Sequence, residues 1–101
     1  MKRPLDIHEA LKALAHPGRM EFLTWLKEPE RSFGLSAADA EGGVPAGRFG
    51  WQGLSQSSAS QNLAILQRAG LLSSRRVGST ILYRRNEDNI AQLKRWLADE
   101  L

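Results

Sequence analysis

The run Gly53-Leu54-Ser55-Gln56-Ser57-Ser58-Ala59-Ser60-Gln61-Asn62-Leu63-Ala64-Ile65-Leu66-Gln67-Arg68-Ala69-Gly70 decides the reading of this chain. Ala59, Leu63 and Leu66 recur at i, i+4 and i+7, which is one apolar face of a helix. Ser55 is a good N-cap ahead of it, since its hydroxyl can accept from a first-turn N–H, and Gly70 supplies the left-handed stop behind it. The other side of this predicted helix carries Gln56, Ser57, Ser58, Ser60, Gln61 and Asn62, hydrogen-bonding side chains without charge. A helix face that only needs solvation ordinarily carries Glu and Lys. Uncharged amides and hydroxyls beside a very apolar back match instead the donors and acceptors of base edges in a DNA major groove.

Downstream, Leu72 to Val77 and Thr80 to Arg85 are rich in strand formers and are separated by Gly78-Ser79, so they predict a hairpin. Its arginines come as Arg75-Arg76 on one arm and Arg84-Arg85 on the other. Successive strand residues face opposite sides, so one arginine of each pair can follow a phosphate backbone while the other pairs elsewhere. Asn86, with Glu87 and Asp88 behind it, caps and charges the start of a last helix whose stripe is Ile90, Leu93, Trp96 and Leu97.

Upstream, Leu5, His8, Leu11 and Ala15 with Ile7 and Leu14 predict an amphipathic helix over about residues 4–15, opened by Pro4 and stopped by Pro17. Met20, Leu23 and Leu26, widened by Phe22 and Trp25, form a second stripe that ends before Pro29. Residues 29–53 hold Gly34, Gly42, Gly43, Gly47, Gly50 and Gly53, which break any period; they read as a long connection with one or two helical turns within Val44 to Gln52.

The charge map follows the same division. The 101 residues carry a formal net charge of +3. Residues 1–41 hold six basic against seven acidic side chains, and residues 87–101 hold two against four. Residues 42–86 hold Arg48, Arg68, Arg75, Arg76, Arg84 and Arg85 with no acid at all. An acid-free stretch of arginines suits a polyanion, because nearby carboxylates would repel it.

Other chemistries are excluded or weak. The longest apolar run, Leu63 to Leu66, is far short of the roughly 20 residues that span a bilayer, and a cytoplasmic protein without a membrane partner is expected. Cysteine is absent, which removes thiolate metal sites and thiol nucleophiles together. His8 and His16 are the only histidines, and their spacing puts them roughly 80° apart around an ideal helix and about 12 Å apart along it. No metal, cofactor or catalytic set is expected, and no enzyme.

Several of these segments resemble one family. Leu14-Ala15-His16-Pro17-Gly18-Arg19-Met20-Glu21-Phe22-Leu23 resembles the opening of ArsR-type winged-helix repressors, and Gly53 to Leu72 is similar to that family's turn and recognition helix. Arg75-Arg76, Gly78 and Tyr83 continue the likeness through the wing, leaving only about residues 29–46 outside it. The resemblance implies cytoplasmic homodimers on palindromic operator DNA, paired through their first and last helices. Two terminal amphipathic helices in so short a chain support this independently, since they expose more apolar stripe than one core readily covers. Leu5, Ile7, His8, Leu11, Leu93, Trp96 and Leu97 are the interface candidates. The family's cysteine sites and its histidine-bearing last helix have no counterpart here, and the insert at 29–50 exceeds the usual link. That insert holds an effector site, rests on the DNA or does neither.

The expectation is therefore a mainly helical fold with a small β-hairpin, a winged helix-turn-helix over residues 1–101 as one domain, with helices at about 4–15 and 87–100 as dimerisation elements. The expected function is a sequence-specific double-stranded DNA-binding regulator, a homodimeric repressor of the ArsR type without cysteine metal sensing. Gln56, Ser57, Gln61 and Asn62 are the expected base readers, and Ser58, Ser60, Arg68, Arg75, Arg76, Arg84 and Arg85 the phosphate contacts. A winged-helix module that docks an acidic protein partner is the alternative.

Overall fold

Among the described residues, five of the six α-helices begin at a side-chain cap, and the helix that opens at Pro29 begins without one. In the structure, a computed structural model that describes residues 5–52 and 55–101 apart from the side chains of residues 50–52 and 56, Asp6 caps α1 (Ile7–Leu14) by accepting the Glu9 N–H at 3.1 Å. The first helix is thus shorter than the expected 4–15, because the aspartate fixes its start; Pro4 lies outside the described residues. α2 (Pro17–Lys27) opens with Pro17 at its first position, and the His16 Nδ1 accepts the Gly18 N–H at 3.1 Å.

The glycine-rich segment is more ordered than the sequence suggests. It folds into α3 (Pro29–Phe33), α4 (Ala37–Gly42), strand β1 (Val44–Pro45) and a 3-10 segment, Ala46–Gln52. Gly34 (φ 68°) and Gly43 (φ 111°) end α3 and α4 in a region that side chains with a Cβ avoid, so they act as stops between short elements. The expectation of one short helix within a long connection is corrected accordingly. α5 (Gln56–Arg68) follows, capped by Ser55, whose Oγ accepts the Ser58 N–H at 3.2 Å; Gly70 (φ 84°) follows its end.

β2 (Leu72–Val77) and β3 (Thr80–Arg85) form the expected hairpin, with Leu72 opposite Arg85 and Val77 opposite Thr80. β1 adds a third antiparallel strand on the far side of β3, pairing Val44 with Tyr83 and Pro45 with Leu82. α6 (Glu87–Glu100) starts at Asn86, whose Oδ1 accepts the Asn89 N–H at 3.1 Å.

The core joins these pieces and draws on the insert. Phe22, Val44, Phe49, Leu63, Leu66 and Leu71 are fully buried. Phe49 stands 4.9 Å from both Phe22 and Phe33 between ring centroids, and Trp25 stacks on Phe22 at 5.4 Å. Full burial of a side chain such as phenylalanine contributes about 1.5–3 kcal/mol relative to exposure, so Phe33, Val44 and Phe49 bind residues 29–52 firmly to the rest. No helix among the described residues is long and apolar enough to cross a membrane.

Candidate nucleic-acid interface

Helix α5 is anchored by its apolar stripe and presents the opposite one. Ala59, Leu63 and Leu66 have no exposed surface. Ser57, Gln61, Ala64 and Arg68, at i, i+4, i+7 and i+11, are all exposed on the reverse face. Ser58 and Ser60 are exposed on its two flanks. This is an uncharged polar ridge three turns long, ending in one guanidinium. The side chain of Gln56 lies outside those described.

Asn62 is set apart from this ridge. It is half-buried, and its Oδ1 accepts from Arg19 Nη1 at 3.4 Å while Arg19 Nε donates to the Ala13 carbonyl at 2.6 Å. Arg19 therefore joins the end of α1 to the recognition helix, and Asn62 faces α2. In the sequence Arg19 is one charge of a balanced segment and one residue of the family-like opening, with no site role assigned to it. Its position two residues after a first-turn proline, with the side chain leaning back towards the helix start, is the signal that pointed to α1.

The wing is tied to α5 by Gln67, whose Nε2 donates to Ser74 Oγ at 2.7 Å. Register then sorts the arginines. Ser74, Arg76, Ile81, Tyr83 and Arg85 share the sheet face that meets α5 and the core, while Ser73, Arg75, Leu82 and Arg84 share the other. Arg76 is exposed. Arg75 Nη2 donates to the Gly42 carbonyl at 3.3 Å, and Arg84 Nη1 donates to the Glu41 carbonyl at 3.2 Å; both remain exposed.

Arg85 is a correction to the expected phosphate set. Its side chain is only 9% exposed, its Nε and Nη2 hold both oxygens of Glu87 at 2.9 and 3.2 Å, and its Nη1 donates to the Leu23 carbonyl at 3.0 Å. It pins the end of the wing to α2 and α6 and has no free side to offer a ligand. The other ion pairs among the described residues are Lys12–Glu9 and Arg31–Glu28. Arg68, Arg75, Arg76 and Arg84 enter none, so their charge is uncompensated by any carboxylate contact.

The terminal helices approach at one point, where the His8 and Trp96 rings stand edge to face at 6.3 Å. Leu5, Ile7, Leu11 and Leu97 are half-buried on the chain's own core, and Trp96 is half-buried beside them. Leu93 is a second correction: at 3% exposure it belongs to the monomer core and has almost no area left for a partner.

A polar helix ridge flanked by a basic two-stranded wing is the layout of a helix-turn-helix followed by a wing. The chain is 39% identical over 100 residues to the uncharacterized HTH-type transcriptional regulator YbzH of Bacillus subtilis, covering 92% of this chain and 96% of that protein. It is 33% identical over 92 residues to the biofilm growth-associated repressor of Agrobacterium fabrum, covering 91% and 68%. The chain belongs to the HTH-type transcriptional regulators. An ArsR-like transcriptional regulator from Rhodococcus sp. RHA1 has the same fold, with a TM-score of 0.68 at 24% identity over 92% of this chain and 76% of that one. No protein-family model matches the chain. HTH-type transcriptional regulators are a DNA-binding, non-enzymatic class. Among the described residues no group of three or more His, Cys, Asp or Glu side chains is placed to hold a metal.

Proposed function

We propose that this ArsR-like regulator is a homodimeric repressor of the cytoplasm, a single winged-helix domain that reads a palindromic operator. The observation that carries the reading is the exposed Ser57–Gln61–Ala64–Arg68 ridge, opposite a fully buried stripe and beside a wing whose exposed arginines face no carboxylate. With α5 in the major groove, Ser57 and Gln61, and Gln56 ahead of them, read base edges. Asn62, held by Arg19, reads from the α2 side of the helix. Ser58, Ser60, Arg68, Arg76 and Arg75 hold phosphates and fix the register. The absence of cysteine means that any release signal is read without thiolate ligands.

Dimerisation through α1 and α6 is supported by the half-buried apolar side chains that those helices leave at the surface, Ile7, Leu11, Trp96 and Leu97. A two-fold axis there sets two recognition helices on one face of the duplex, about 34 Å or one helical turn apart. Selection from a random duplex pool is then expected to return inverted repeats with half-sites about 10 base pairs apart, and Gln61→Ala to relax one position per half-site by about 1–3 kcal/mol. Duplex affinity that does not fall as salt rises would overturn the DNA reading; it is the result expected of a module that docks an acidic protein.

A further inference from the structure

The glycine-rich insert is absorbed neither by the recognition helix nor by the core alone, and its last helix ends on the outer face of the wing. The carbonyls at a helix C-terminus have no partner within the helix. Here those of Glu41 and Gly42 accept from Arg84 and Arg75. These two arginines stand on one sheet face, Arg75 opposite Leu82 and Arg84 opposite Ser73, so they are diagonal neighbours. Two like charges at that separation repel, and two consecutive carbonyl oxygens between them relieve it.

The contact depends on the absence of a side chain at position 43. Gly43 is buried at φ 111°, and a Cβ there would stand 3.1 Å from Leu82 Cβ and 3.2 Å from Arg84 Cγ. A Cβ on Gly42 would sit in ordinary contact with Arg75 Nη2 at 3.5 Å, so a longer side chain there, and not an alanine, would crowd the guanidinium. The next two residues continue the approach as β1, paired to β3. Arg75 gives one of its five N–H groups to the insert and keeps the rest.

We propose that α4 and the Gly42–Gly43 corner form a brace that aims the Arg75 guanidinium at a DNA phosphate, with Arg84 as the residue that anchors the brace. This rests on the reading of Arg75 as a phosphate contact. Arg84 is a positioning residue: it lies two rungs nearer the base of the wing and acts through the Glu41 carbonyl. The insert is thus part of the DNA-binding apparatus although it does not itself touch the duplex.

The test is the salt dependence of binding to a random duplex. Each phosphate contact contributes about 0.9 to the slope of log K against log salt. Arg75→Ala is therefore expected to lower the slope by about 0.9, so that raising salt from about 50 to 200 mM weakens the variant about 3.5-fold less than the parent. Arg84→Gln, an exposed change with the backbone intact, and Gly42→Leu, which puts a side chain against Arg75, are each expected to give the same loss. The pair Arg75→Ala with Arg84→Gln is expected to lose no more than Arg75→Ala alone. A double variant whose slope falls by about twice as much would make Arg84 a direct phosphate contact and overturn the brace. So would parental slopes for Gly42→Leu and Arg84→Gln beside a reduced one for Arg75→Ala, with the DNA role of Arg75 intact. A parental slope for Arg75→Ala itself would remove that role, and the brace with it, and would leave the base readers to the Gln61→Ala measurement.

Discussion

Arg85→Ala separates a buried clip from a phosphate contact, two roles that leave different marks. The arginine makes one charge-assisted bond to the Leu23 carbonyl and a two-pronged pair with Glu87. The first is the larger contribution, about 1.5–3 kcal/mol for a hydrogen bond to a charged group. The second is discounted because Glu87 is 68% exposed, and such a pair contributes at most about 1 kcal/mol. The Leu23 carbonyl lies within α2 and retains its helical acceptor role, so its loss of one donor adds little. The sum is about 1.5–4 kcal/mol, and at about 4–8 °C per kcal/mol for a chain of this size the melting temperature should fall by at least about 6 °C. Arg85→Lys should recover only part of this, since an ammonium cannot hold both carboxylate oxygens and the carbonyl from one planar fork. Circular dichroism melts at one fixed protein concentration measure the shift, and filter binding below the melt measures the salt slope. A variant that melts within about 2 °C of the parent while its slope falls by about 0.9 would refute the clip and return Arg85 to the phosphate set.

Three further outcomes follow from the same geometry. His16→Ala removes the side-chain cap of α2 and should cost about 1 kcal/mol, while His16→Asn, which keeps an acceptor there, should melt close to the parent. Gly70→Ala forces a Cβ into φ 84° within 3.2 Å of Asn89 Nδ2 and 3.3 Å of Leu5 Cδ1, so urea unfolding should show a loss of about 1–2 kcal/mol. Leu63→Ala empties a fully buried site under the recognition helix and should lower stability by about 2–5 kcal/mol in the same assay.

What the sequence makes legible is what local chemistry decides. Ser55, Asn86 and Gly70 could be placed because a cap or a left-handed stop is a property of a few consecutive residues, and all three hold those roles in the structure. The polar ridge was legible because a buried stripe at i, i+4 and i+7 fixes where the opposite face must be. The insert was not, because glycines that interrupt a period look alike whether they loosen a loop or terminate short helices; only the burial of Phe49 against both Phe22 and Phe33 distinguishes the two.

The arginines show the same limit more sharply. Strand alternation requires Arg84 and Arg85 to face opposite ways, yet which one is buried depends on α2 and α6 closing over one face of the sheet, and no neighbouring residue records that. Glu87, two positions on, was read as a favourable charge at a helix start, and it is also the partner that Arg85 grips. One carboxylate thus serves both the α6 N-terminus and the wing. The apparent run of six free cations in residues 42–86 is therefore a set with divided duties. Arg48 donates to the Phe33 carbonyl within the insert, Arg85 ties the wing to the body, Arg84 and Arg75 meet the insert, and Arg68 and Arg76 stay exposed without a carboxylate.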